Sequence, residues 1–146
     1  MNLAENKKFF LQYEALEQYE AGIELLGIEV KSAKNNQAQL DGSRVLVRGG
    51  EAFLVGATIP PYQASNTKED YDPTRARRLL LNHKQIVELY DYSEQRGLTI
   101  IPISMYNKGN LVKLKIAVAR GKKKYDKRQD IKKRDTERDL GRTLKR

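Results

Sequence analysis

Phosphate-neutralising cations are the commonest chemically useful groups in this chain, and they are unevenly spread. Residues 120–146 carry 13 of the 28 Lys and Arg residues but five of the 19 acids, a net charge of +8. Residues 1–119 carry 15 cations against 14 acids, so the overall +9 belongs almost wholly to the terminal segment RGKKKYDKRQDIKKRDTERDLGRTLKR. A near-neutral body with a cationic tail suits a polyanionic partner, RNA first among them. Asp126, Asp130, Asp135, Glu137 and Asp139 interleave the cations, which tempers indiscriminate adhesion and permits intrahelical ion pairs. If about six of these cations each neutralise a phosphate, affinity falls with salt at roughly −0.7 to −0.9 per contact.

The body offers a second set of candidates. Arg75, Arg77 and Arg78 cluster, Lys113 and Lys115 lie two residues apart, and Tyr13, Tyr19, Tyr62, Tyr71 and Tyr106 supply aromatic faces. Single-stranded or distorted RNA is read by such combinations of cation and ring, although each tyrosine is equally suited to packing. Glu20, near Gly22, reads either as a solvated strand residue or as an acceptor for a base edge or an arginine. Catalytic chemistry is poorly provided for. There is no Cys, and the single His83 has no nucleophile motif beside it. Asp70 and Asp72 lack calcium-loop spacing and a histidine partner, and no Gly-Lys-Ser/Thr follows Gly49-Gly50. These absences lead us to expect no enzyme, no metal and no cofactor.

The elements that position these groups can be sketched from pattern. Ser43–Arg48 and Glu51–Val55 flank Gly49-Gly50, a hairpin turn that needs positive φ. A second hairpin joins Leu98–Tyr106 to Leu111–Ala119 through residues 107–110. In its second arm Val112, Leu114 and Ile116 alternate with Lys113 and Lys115, so the lysines project from the face opposite the core. Asn6–Gln12 suits a short helix or an extended arm, Ala21–Val30 holds short apolar runs, and Gln63–Tyr71 is a polar loop. Asn82 with Gln85 makes a capping box for a helix predicted over Asn82–Gln95, ended by Gly97.

This pattern predicts a β-rich α+β domain over residues 1–119, a small closed antiparallel OB-like (oligonucleotide-binding-like) β-barrel with flanking short helices. A basic tail follows at 120–146, too poor in aliphatics to order by itself. No apolar stretch approaches the roughly 20 residues of a membrane helix, and MNLAENKKFF has no secretory pattern. A cytoplasmic monomer is expected.

Six ordered blocks then resemble a known family. They are Tyr19-Glu20-Ala21-Gly22-Ile23, Gly27-Ile28-Glu29-Val30-Lys31-Ser32, Gly50-Glu51-Ala52-Phe53-Leu54, Asp72-Pro73-Thr74-Arg75, Leu79-Leu80-Leu81-Asn82, and Ala119-Arg120-Gly121-Lys122-Lys123 with Asp126-Lys127-Arg128. Their order is similar to that of the SsrA-binding protein (small protein B) family. The resemblance implies an adaptor for bacterial trans-translation, whose barrel grips the tRNA-like domain of transfer-messenger RNA. It implies delivery of that RNA, charged and carried by elongation factor Tu, to stalled 70S ribosomes, where the tail becomes helical in the vacant mRNA channel below the decoding centre. The RNA-gripping positions implied are Asn6, Glu20, Leu80 and Lys113, with Tyr13 and Arg75 as neighbours. The decoding-centre group is Gly121, Lys122, Lys123, Asp126, Lys127 and Arg128, extended along the tail by Lys132, Lys133 and Arg134. Tyr125 stands where some relatives carry His, which keeps a stacking face without a cationic form near neutral pH. Leu11 likewise stands where a relative can have His. A general single-strand RNA-binding module or ribosomal protein is the alternative reading of the same barrel and tail.

Overall fold

Residues 2–62 and 70–122 are described by the computed structural model. The chain runs β1 (Asn2–Glu5), α1 (Phe9–Gln12), β2 (Tyr13–Ile23), α2 (Gly27–Lys34), β3 (Arg44–Arg48), β4 (Glu51–Val55), β5 (Arg77–Leu80), α3 (His83–Ser93), β6 (Leu98–Lys108) and β7 (Leu111–Gly121). The seven strands form one antiparallel sheet in the order β1-β6-β7-β2-β5-β4-β3. Gly49 and Gly50 both take positive φ between β3 and β4, as the hairpin requires. The second hairpin is tighter than expected: β6 continues to Lys108 and pairs it with Leu111, leaving Gly109-Asn110 as the turn.

The sheet curls until β3 comes beside β6, yet no ladder joins these two among the described residues. The expected closed barrel is therefore an open, strongly curled OB-like sheet. Its closing edge is partly taken, since β1 pairs with Ser104–Tyr106 and the Asn6 amide donates to the Ile103 carbonyl at 2.8 Å. Pro102, on the same strand, has no N–H to offer.

The period-two pattern places Leu114, Ile116 and Val118 in the main core with Ile23, Leu54, Leu79 and Leu89. Helix α3 begins as predicted: Asn82 Oδ1 accepts from the Gln85 amide at 2.8 Å, and Gln85 Oε1 accepts from the Asn82 amide at 3.2 Å. It buries Leu89 and packs on β3 and β6. Helix α2 begins inside the apolar runs of Ala21–Val30 and continues to Lys34, where the sequence pattern predicts no helix. It lacks a polar N-cap residue, because the Leu26 amide is satisfied by Glu29 Oε1 at 2.7 Å. Its exit is a Schellman turn, with Asn36 at φ 62° and the Gln37 amide bonded to the Ser32 carbonyl.

Glu29 is also the hub of a buried ionic network. Its carboxylate accepts from Arg75 Nε at 3.0 Å and Arg77 Nε at 2.9 Å, with Arg75 Nη2 on the other oxygen. Arg77 is wholly buried, and its remaining donors reach the carbonyls of Ala57, Arg75 and Pro73 at 3.1, 3.1 and 2.8 Å. The Tyr71 hydroxyl sits 3.0 Å from Glu29 Oε2 and 2.7 Å from the Ile59 carbonyl. Burial pushes the Glu29 carboxyl upward, but the bonds from Arg75, the Leu26 amide and Arg77 outweigh it and hold the group below the usual carboxylate range.

Removing one member of such a network strands its partners' charge. Glu29→Gln should lower the unfolding free energy by about 3–5 kcal/mol in urea at neutral pH. The depressed carboxyl contributes stability above the unfolded pKa of about 4.3, and that contribution fades as pH falls through the folded value. The gap between parent and variant should narrow in acid. A constant gap would place the effect in packing alone.

Candidate RNA interface

Strand register assembles one outer face from four strands. Tyr106, Lys113, Gly22 and Leu80 form a row across β6, β7, β2 and β5. The neighbouring row contains Ser104, Lys115 and Glu20. Residues directly opposite share a face, so these side chains all point away from the core that holds Leu114 and Ile116. A β-bulge between Ala15 and Glu17 then reverses the alternation of β2. It returns Ala15 and Tyr13 to the outer side, where Phe9 of α1 covers Ala117 and Ala119. The outer face thus has a covered apolar half and an open polar half.

In the open half, Asn6, Glu20, Tyr106 and Lys115 line a groove of about 730 Å³, together with Lys7, Phe10 and Gln18. A second hollow, of about 200 Å³, is lined by Gly22, Leu80, Leu111 and Lys113 among others. Leu80 is 47% exposed although it is a large aliphatic on a strand. The Glu20 carboxylate accepts from the Tyr106 hydroxyl at 2.5 Å and from Lys108 Nζ at 3.0 Å. The Tyr106 bond, with that of Lys108, lowers the Glu20 carboxyl from its ordinary value. Burial and the same carboxylate push the Tyr106 hydroxyl up to about 12, so it remains a donor at neutral pH. Among the described residues, neither Lys113 nor Lys115 is in an ion pair. Their ammonium groups can neutralise phosphates laid along the strand pair.

Four of the RNA-binding candidates, Asn6, Glu20, Leu80 and Lys113, therefore share this open half. Tyr13 stands farther along the same side, its ring 5.7 Å from that of Phe9. Arg75 does not join them: its guanidinium is committed to Glu29, and its side chain is 31% exposed. The cluster read as Arg75, Arg77 and Arg78 is divided by strand alternation, with Arg77 buried and Arg78 outside between Glu24 and Glu51. Tyr71 and Tyr19 are hydrogen-bonding packing groups rather than open platforms, Tyr19 donating to Glu88 at 2.9 Å. Asp72 organises a turn, accepting from the amide and hydroxyl of Thr74 at 2.9 and 2.8 Å.

Lys7, Phe10, Gln18, Ser104, Lys108 and Lys115 complete the face, and of these only Lys115 is a candidate from the sequence. The hairpin register carries the signal for Ser104 and Lys108, and plain alternation from Glu20 carries it for Gln18. At the other end, β7 runs two residues beyond Ala119. Gly121 pairs with Tyr13, and Lys122 is tied back by its amide to the Gln12 carbonyl at 2.8 Å and by Nζ to the Phe10 carbonyl at 2.6 Å. Lys123, Tyr125, Asp126, Lys127, Arg128, Lys132, Lys133 and Arg134 lie outside the described residues.

The curled sheet and its lysine-bearing outer face define a small OB-like β-protein. A family model described as "SmpB protein" matches residues 3–146. The chain is 49% identical over 145 residues to the SsrA-binding protein of Thermosipho africanus, covering 99% of this chain and 97% of that one. It is 45% identical over 144 residues to the SsrA-binding protein of Microcystis aeruginosa, covering 99% and 94%. A solved structure described as "tmRNA-SmpB: a journey to the center of the bacterial ribosome" superposes with a TM-score of 0.69 at 39% identity, covering 82% of this chain and 84% of that one. The chain belongs to the SmpB, or SsrA-binding protein, family.

Gly22 has a structural reason to lack a side chain. A Cβ there would stand 3.1 Å from the Leu80 Cβ, which is fixed to its own backbone and cannot rotate away. Gly22→Ala should push β5 from β2 and cost about 1 kcal/mol, the low end of overpacking penalties, in urea unfolding. A variant as stable as the parent would show that the two strands part freely.

Proposed function

We propose that this chain binds the tRNA-like part of transfer-messenger RNA through the open half of its outer face and brings that RNA to stalled ribosomes. The observation that carries the reading is the meeting of Asn6, Glu20, Leu80 and Lys113 on one surface, in a chain of the SsrA-binding family. The relatives are named for SsrA binding, and the solved neighbour's description couples tmRNA with SmpB and the bacterial ribosome. The face itself is suited to a folded RNA. Lysines two residues apart on β7 can follow a phosphate backbone, while exposed Leu80 offers an apolar surface to an unstacked base or sugar.

The chain acts in this reading as an adaptor without a catalytic step of its own, working in the cytoplasm as a monomer. The charged RNA links it to elongation factor Tu, and the 70S ribosome is the destination. Residues 1–119 form the RNA reader. Residues 120–146, with net charge +8, probe the mRNA channel and decoding centre through the group from Gly121 to Arg134. Ordering such a segment costs roughly 1–2 kcal/mol of backbone entropy per residue, so many phosphates must reward it at once. An mRNA already in the channel removes that reward by occupying the space.

Because β7 and its tether extend to Lys122, the informative truncation ends there. A chain stopped after Lys122 should keep its preference for transfer-messenger RNA over an unrelated structured RNA in gel shifts at fixed salt, and lose tagging on stalled ribosomes. Equal loss of both activities would contradict the division of labour. Lys113→Ala should weaken RNA binding without lowering stability and reduce the salt slope by about 0.7 to 0.9, one phosphate contact. An unchanged slope would remove Lys113 from the interface.

A further inference from the structure

Glu20 poses a problem for an RNA-binding face, since a carboxylate repels phosphate. The proposed function asks for cations here, and a solvated acid between Lys108 and Lys115 weakens that field. The structure does not leave this acid loose. The Tyr106 hydroxyl is on one carboxylate oxygen, and Lys108 Nζ is on the other. A carboxylate has about four lone-pair sites, so each oxygen retains one further acceptor direction. Two parallel acceptors, held in orientation and kept ionised, match a ligand with two adjacent N–H donors.

Among the unmodified bases, one edge has that pattern. Guanine presents N1–H and an N2 amino hydrogen side by side. Adenine and cytosine each pair a donor with a ring-nitrogen acceptor, and uracil flanks its single N–H with two carbonyls. An arginine also carries paired donors, but Lys7, Lys108 and Lys115 lie around this groove or on its acid and disfavour another cation. Phe10 lines the same groove, is 52% exposed, and is braced edge-on by Phe9 with ring centroids 4.9 Å apart. A braced aromatic ring beside a polar reader is the arrangement that receives an unstacked base.

We propose that this groove takes one unpaired guanine of the bound RNA, its Watson–Crick edge donating two hydrogen bonds to Glu20, with Tyr106 as the residue that positions the carboxylate. The inference rests on the reading of the chain as a binder of transfer-messenger RNA and names the base it selects. Tyr106 acts through Glu20 and does not itself touch the base.

Kethoxal reacts with guanine N1 and N2 when that edge is free, so it probes the contact directly. Full-length protein is bound to transfer-messenger RNA at saturating concentration and the RNA is mapped. The parent should protect one unpaired guanine that Glu20→Gln leaves reactive, because a glutamine amide offers one acceptor and one donor to two donors. Affinity should fall about tenfold in this variant, the worth of a charge-assisted contact. Tyr106→Phe should give partial protection, and should add no further loss when combined with Glu20→Gln. Both variants should melt with the parent, since Glu20 is on the surface. Identical kethoxal maps for parent and Glu20→Gln complexes would overturn the proposal while leaving the adaptor reading intact. Additive losses in the double variant would overturn the positioning role of Tyr106. Failure of the parent to form the complex at all would instead strike the function on which the inference rests.

Discussion

The buried carboxylate of Glu29 is the constraint on which the placement of the outer-face strands depends. It gathers the first turn of α2, the segment around Tyr71 and Arg75, and the start of β5 onto one pair of oxygens. Desolvation alone would drive this acid toward its neutral form, and the donors surrounding it reverse that tendency. A buried ionic network of this kind adds little net stability compared with a well-packed apolar substitute. Its consequence here is positional. With Arg77 held inward, alternation along β5 turns Leu79 to the core and leaves Arg78 and Leu80 outside. Leu80 then meets Gly22 across the β2–β5 pair, at a separation that a Cβ on Gly22 would crowd.

A second device decides what the outer face displays. Strict alternation along eleven residues of β2 would carry Glu20 and Tyr13 to opposite sides. The bulge at Ala15–Glu17 brings both to the outside. The same side is thereby shared between two tasks. Ala117 and Ala119 are small enough for Phe9 to lie over them, while Lys113 and Lys115, on the same edge of the pleat, stay open. Covering half of the face with α1 also brings Phe10 to the rim of the groove that Glu20 lines.

Much of this was legible in the residues. Gly49-Gly50, the Asn82–Gln85 capping box and the alternation of Val112–Ile116 each have a local mechanism that tertiary context did not override. The six blocks led to the family and to four residues that the fold places on one face. What the residues concealed was non-local. Helix α2 has no polar cap before it, since the group that satisfies the Leu26 amide is Glu29, which also answers two distant arginines. Three arginines within four positions look alike as letters, and only strand alternation and a partner 46 to 48 residues away divide them into structural and exposed. The bulge that reverses β2 has no signature in the run Ala15-Leu16-Glu17. Closure of the barrel likewise depended on whether β1 and Pro102 left β6 an edge to share.

Charge distribution gives the remaining argument its direction. With 15 cations against 14 acids over residues 1–119, the sheet cannot attract a polyanion by bulk field, and at physiological salt a lone surface charge is screened within about 8 Å. In the proposed function, recognition by this body rests on short-range arrangement, for which the outer face offers a tethered acid, an exposed leucine and two lysines that make no ion pair among the described residues. In the same reading, long-range attraction is left to residues 120–146, the first two of which are the last of β7. The first residue past the strand, Lys122, is bonded to the carbonyls of Phe10 and Gln12, so the +8 segment originates at the margin of the reading face. In that reading, attraction and selection are thus assigned to different residues of the chain.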